Sequence, residues 1–266
     1  MRVSATATSG GLTGIAVNSL TNTIYVVDYE DDATIINGSD FSTTTLTGLG
    51  GPGFIYPYIV VNPVTNQIYV PYVAPGGNVG NVTIIDGVTL AKTTVTVGKN
   101  PEGIAFNSLT NQIYVANYWS GDVTVIKGAD YSTSTIPGGG DDVAIAVNPI
   151  SNMVYLANAS GCAAYCSGGF TVISGSNNST STTIPSSSLK AVAINSTTNK
   201  VYFTNPGYAP GYAPPIDTIV VLDGVTNTTT SVTVGSQPSA IAVNQVTNTV
   251  YVTNSGSNDV TVIGPQ

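Results

Sequence analysis

The sequence predicts an all-β fold: a six-bladed β-propeller of four-stranded antiparallel blades, one domain over residues 1–266, its ring closed by the N-terminal strand completing the last blade. Three observations predict it. One motif returns six times. The segments between turns are β-branched and carry no helical period. The two chain ends are out of phase with the repeat.

The repeat reads GIAVNSLTNTIYVVD from Gly14, YIVVNPVTNQIYVPY from Tyr58 and GIAFNSLTNQIYVAN from Gly103. It returns as AIAVNPISNMVYLAN from Ala144, AVAINSTTNKVYFTN from Ala191 and AIAVNQVTNTVYVTN from Ala240. The leading asparagines are Asn18, Asn62, Asn107, Asn148, Asn195 and Asn244, spaced by 44, 45, 41, 47 and 49 residues. A four-stranded propeller blade needs a period of about 40–50 residues.

Within each unit an apolar run such as IAVN is the innermost strand, a. A tight turn of the N-x-x-T-N type follows, in residues that bend the chain and bond their own backbone. Strand b is β-branched around a tyrosine. A variable loop leads to strand c, as in DVTVI at 122–126 and 259–263. A glycine-containing turn then leads to a Thr-rich strand d, as in TTVTVG at 93–98. Alternation in strands b to d is read as half-burial. The last unit stops after strand c, whereas residues 3–10, VSATATSG, resemble a strand d without a unit before it. Joining them would satisfy the backbone groups of an open sheet edge.

The segments IYVAN and VYVTN, with NPVTN before and NDVTVI after, resemble the YVTN-type β-propeller repeat family over nearly the whole chain. The resemblance implies a propeller of the kind found in surface-layer and other extracellular proteins of archaea and bacteria. It does not imply an activity, because one scaffold serves binding, catalysis and structure. Some propeller lyases work through histidine, which this chain lacks.

Composition narrows the function classes. Lys plus Arg total 6 against 14 Asp plus Glu, and the net charge is −8. Without histidine there is no His-based triad and no imidazole metal ligand. So few cations cannot make a nucleic-acid footprint. No apolar run approaches the roughly 18 residues of a membrane helix, so membrane insertion is not expected. The start, MRVSATATSG, has no apolar signal region. A surface of Thr, Ser, Asn, Gly and Tyr fits an extracellular or cell-surface protein whose signal is not in this sequence. In an oxidising compartment Cys162 and Cys166 would staple their short loop as a disulfide; free thiols are the alternative.

Tyr25, Tyr69, Tyr114, Tyr155, Tyr202 and Tyr251 recur once per blade. A ligand-binding ring is one reading; packing between blades with a bonded hydroxyl is the better one. The repeated asparagines are assigned to turn geometry. Function is expected where the repeats disagree, in the b–c loops and d–a connections that leave a meander at one end. These are 28–33, 71–81, 117–122, the cysteine loop, 205–217, 50–58 and 138–142. They gather Tyr29, Tyr56, Tyr58, Tyr72, Tyr118, Trp119, Tyr165, Tyr208 and Tyr212 beside Glu30, Asp31, Asp32, Glu102, Asp141 and Asp142.

Aromatic rings beside acids and amides suit a glycan or a protein ligand. Glu30, Asp31 and Asp32 lack the spacing of a calcium loop, and GGPG and GGG lack the helix and lysine of a phosphate loop. No metal or other cofactor is expected. The reading is a non-catalytic recognition or adhesion propeller. One alternative is an extracellular polysaccharide or small-molecule lyase or hydrolase using Tyr and carboxylates. The other is a structural module of a surface layer or filament.

Overall fold

The computed structural model describes residues 11–50, 54–55, 58–74, 76, 79–138, 142–159, 168–183, 188–207 and 217–265. Among them, strands form six antiparallel sheets and no helix forms. The first sheet is β1 (Leu12–Asn18), β2 (Thr23–Asp28), β3 (Ala33–Asn37) and β4 (Thr43–Leu46). In the second, strand a is in two pieces, β5 (Phe54–Ile55) and β6 (Val60–Asn62), both paired with β7 (Gln67–Val73); β8 (Gly80–Asp86) and β9 (Lys92–Val97) follow. The third holds β10 (Pro101–Asn107), β11 (Gln112–Asn117), β12 (Asp122–Lys127) and β13 (Thr133–Pro137).

The fourth sheet is β14 (Asp142–Asn148), β15 (Met153–Asn158), β16 (Gly169–Ser174) and β17 (Thr180–Thr183). The fifth is β18 (Val192–Asn195), β19 (Lys200–Asn205), β20 (Thr218–Asp223) and β21 (Thr228–Thr233). The sixth has three described strands, β22 (Pro238–Asn244), β23 (Thr249–Asn254) and β24 (Asp259–Ile263). Every sheet is a meander in chain order. Residues 3–10, expected to add a fourth strand to the sixth sheet, lie outside the described residues.

The chain divides into two compact units, 1–135 and 136–266. In the first, Tyr25 and Val27 of β2 pack with Ile68, Val70 and Tyr72 of β7. Tyr69, Val82 and Ile84 pack with Ile104, Ile113 and Val115 of the next sheet. In the second, Tyr155 and Phe170 meet Val201 and Phe203, with the rings of Phe170 and Phe203 stacked at 4.9 Å. Tyr202, Ile219 and Val221 meet Val250 and Val252. Burial of this apolar surface between sheets is the main stabilising term.

Strands b and c depart from the expected alternation. β7 and β8, in the sheet packed against both the first and the third, are buried on both faces along nearly their whole length, whereas β23 and β24 alternate. A sheet between two others has no solvent side, so side chains of both parities become core. Strand d is exposed, as the hydroxyl-rich β9 and β21 show.

The repeated asparagines do more than turn the chain. Each leading Asn accepts the backbone N–H two residues on, as from Leu20, Val64, Ile150 and Thr197, at 3.0–3.1 Å. With its oxygen so engaged, the nitrogen must be the free donor. It donates to the trailing Asn of the next sheet: Asn18 to Asn66 and Asn62 to Asn111 in one unit, Asn148 to Asn199 and Asn195 to Asn248 in the other, at 2.6–2.8 Å. All six trailing asparagines, Asn22, Asn66, Asn111, Asn152, Asn199 and Asn248, sit at φ 51–55°. Asn tolerates that left-handed conformation because its short polar side chain bonds locally. One residue therefore closes the turn and docks the neighbouring sheet.

Candidate functional site

In the third sheet the b–c loop meets the d–a connection that precedes it. Tyr118 N donates to Asn100 O at 2.9 Å, and Trp119 N to Lys99 O at 3.2 Å. Lys99 N donates to Ser120 Oγ at 3.0 Å. These bonds tie the loop 117–122 to the connection before β10. Beneath them, Asn117 Nδ2 donates to Asp122 Oδ1 at 2.7 Å and Thr124 Oγ1 at 3.0 Å. A side chain on Gly98 would run into Asn117 and Ser120, so this close approach requires glycine. On this pinned loop Trp119 is exposed and Tyr118 half-buried.

β10 begins with an irregularity: Pro101 pairs with Asn117 and Gly103 with Ala116, leaving Glu102 as the extra residue. Bulges re-aim side chains. Asn100, at φ 55°, donates through Nδ2 to Glu102 Oε1 at 2.7 Å. Tyr58 is half-buried in the preceding sheet; burial and the negative charge of Glu102 push its hydroxyl pKa up. It therefore keeps its proton at neutral pH. Glu102, Asn100, Tyr58, Tyr118 and Trp119 make the best-built set of polar and aromatic groups in this unit. Asn100 was not among the expected residues; its place before a Pro, in KNPEG, was the available signal.

The acidic run of the first sheet builds its own turn. Asp28 Oδ1 accepts Glu30 N at 2.9 Å and Asp32 N at 3.1 Å. Asp31 is buried at φ 76°, and its carboxylate accepts Gly50 N. The carboxylates of Asp28 and Asp31 thus serve backbone amides. Among the described residues no three His, Cys, Asp or Glu side chains converge as metal ligands. Tyr29 and Glu30 are exposed beside this turn, and Asp32 is partly covered.

Tyr72 is not on the loop. It is in β7 at the position Asn117 holds in β11, is buried, and lies over Gly50, where a Cβ would strike its ring. Reading IYVPY against IYVAN gives that placement. Asp142 is the first residue of β14, opposite Asn158. Tyr56, Asp141, Cys162, Tyr165, Cys166, Tyr208 and Tyr212 lie outside the described residues. The disulfide expectation and the loop aromatics of the second unit fall there.

The repeated tyrosines are chiefly structural. Tyr25, Tyr69, Tyr114, Tyr155 and Tyr202 are buried. Tyr69 OH donates to Gln67 Oε1 at 2.8 Å, and Tyr114 OH to Gln112 Oε1 at 3.0 Å. Tyr251 departs from the set and is exposed.

Comparison with solved structures bears on the fold. A chain of hydrazine synthase from Kuenenia stuttgartiensis superposes with a TM-score of 0.64 at 14% identity, over 99% of this chain and 98% of that one. A chain of a nidogen/laminin complex does so with a TM-score of 0.58 at 13% identity, over 95% and 88%. The protein has a β-propeller fold. No family model and no curated protein matches the chain.

Proposed function

We propose that the protein is a secreted or cell-surface recognition propeller that binds a glycan or protein ligand, without catalysis, through its loop end. One observation carries the reading: Trp119 is exposed on a loop whose backbone is fixed to its neighbour on both sides. A large aromatic held rigidly loses little conformational freedom on binding, the property of a contact anchor. Tyr29, Glu30, Tyr118 and the Tyr58–Glu102 pair supply further rings, a donor and acceptors. Nucleic acid is an unsuitable partner for a chain of net charge −8.

The closed six-bladed ring, of YVTN type, belongs to this reading. Residues 3–8 would join β24 as the fourth strand of the last sheet. The three-stranded last sheet and the strand-like residues at the start of the chain support it.

A glycan array and a turnover assay on the same polymers test the function. The expected result is binding without product, weakened at least about tenfold by Trp119→Ala, equivalent to about 1.4 kcal/mol. Product formation would favour the enzyme reading. Binding that survives Trp119→Ala combined with Tyr118→Ala would place the ligand elsewhere.

A further inference from the structure

The opposite end of the strands carries an array that the fold does not require. The third residue of five a–b turns is a large aliphatic: Leu20, Val64, Leu109, Ile150 and Val246. All five are 63–92% exposed. Their backbone N–H groups bond the leading Asn, so the side chains point away from the turn. Thr197 shows that aliphatic character is unnecessary, because it makes the same bond at 3.1 Å and is also exposed. Five turns therefore hold apolar surface in water where a threonine serves the backbone equally well.

In the first unit this surface is continuous in register. The Asn18–Asn66 and Asn62–Asn111 bonds tie the turns bearing Leu20, Val64 and Leu109 into one row. Val88, on a neighbouring c–d turn, is also exposed. The c–d turns, one of which bears Val88, also carry Asp40, Asp86 and Asp130, each with its carboxyl pKa lowered chiefly by hydrogen bonds within its own turn, that of Asp130 also by Lys127. An apolar middle with a charged rim is the anatomy of a protein interface. The anionic rim is wrong for an anionic lipid surface.

We infer that this row of turns is a self-association surface whose occupant is the same row on a second copy of the chain. Two arguments select that occupant. The aliphatics are set one per sheet by asparagine bonds, and an identical row has the matching pitch. Covering the three turn aliphatics and Val88 removes on the order of 300–400 Å² of apolar surface from water on each copy. That is about half of the roughly 800 Å² per partner of a standard interface, the size of a weak contact between copies. A two-fold contact lets one patch serve both copies. This surface is separate from the loop end and does not depend on the function proposed there.

Sedimentation of the full chain between about 1 μM and about 1 mM tests it, a range that spans weak to moderate affinity. The expected result is a monomer–dimer equilibrium that tightens as salt screens the rim carboxylates. Leu20→Thr, Val64→Thr and Leu109→Thr together, which reproduce the side chain of the Thr197 turn, should weaken it at least about tenfold. A wild-type chain that stays monomeric throughout overturns the inference, as does a triple variant that associates undiminished. If the variant does not fold, hydrogen exchange on the wild type decides. Amides 19–22, 64–66 and 108–111 gain protection with concentration if the inference holds, and their indifference overturns it.

Discussion

The third and sixth sheets carry nearly the same sequence and differ in burial. GKNPEGIAFN and YVANYWSGDVTVI of the one match GSQPSAIAVN and YVTNSGSNDVTVI of the other. Their local bonds match too. Asn254 Nδ2 donates to Asp259 at 2.7 Å and Thr261 at 2.9 Å, as Asn117 does to Asp122 and Thr124. Ser255 and Gly256 bond back to 236–237 as Tyr118 and Trp119 do to 99–100. Yet Tyr114 is 0% exposed and Tyr251 is 42% exposed. Val123 and Val125 are buried, whereas Val260 and Val262 are exposed. Sequence sets the strand and its loop; it does not set how deeply that strand is buried.

The largest expected effect decides whether that difference persists in solution. Tyr114→Ala should cost about 3–5 kcal/mol in urea unfolding, the range for a large buried aromatic. Ring closure would cover the sixth sheet, so Tyr251→Ala should cost the same to within about 1 kcal/mol, and a chain lacking residues 1–9 should lose that parity. A loss at Tyr251 below half of that at Tyr114, in the full chain, would leave this face open and reject closure.

Next in size is the asparagine bond between sheets. Asn62→Ala removes two turn acceptances and leaves Asn111 Oδ1 without its donor. The expected loss is about 2 kcal/mol, since a buried polar group loses its partner. A loss within about 0.5 kcal/mol, the range of a neutral surface change, would mean that apolar packing alone docks the sheets.

The smallest effects come from pH and sharpen the covered side. Burial raises the hydroxyl pKa of Tyr25, Tyr114 and Tyr202, and burial with a neighbouring hydroxyl that of Tyr69, above the ordinary value of 10.0. Their folded state holds the proton more tightly, so their contribution is intact below pH 10 and is lost as pH rises past it. Asp86 and Asp223 have lowered values from turn bonds. Their contribution is present above 3.8 and lost as pH falls through the folded values. The thermal midpoint against pH should therefore fall on both flanks, and more steeply on the alkaline one. A steeper acid flank would move the weight from covered tyrosines to exposed turns.

Much of the site was legible in part. The meeting of loop 117–122 with the connection before β10, and exposed Trp119, follow from meander topology and repeat phase. Tyr72 was hidden by the Pro before it, which reads as a loop although the register continues through β7. Asp31 read as a solvated acid because its acceptor role depends on Gly50, nineteen residues away. The pairing of Tyr58 with Glu102 crosses two sheets and has no local signal.

By itself the sequence determined what spans a few residues: strands from β-branched runs, turns from Asn with left-handed φ, and a period that repeats the sheet six times. Those choices are fixed by backbone sterics and hydrogen bonds within one unit. Only the tertiary structure decided which identical residues are core, which asparagine nitrogens reach the next sheet, and which loop aromatics stay in water. Each of these is a relation between sheets, and burial belongs to a residue's neighbours as much as to its own side chain.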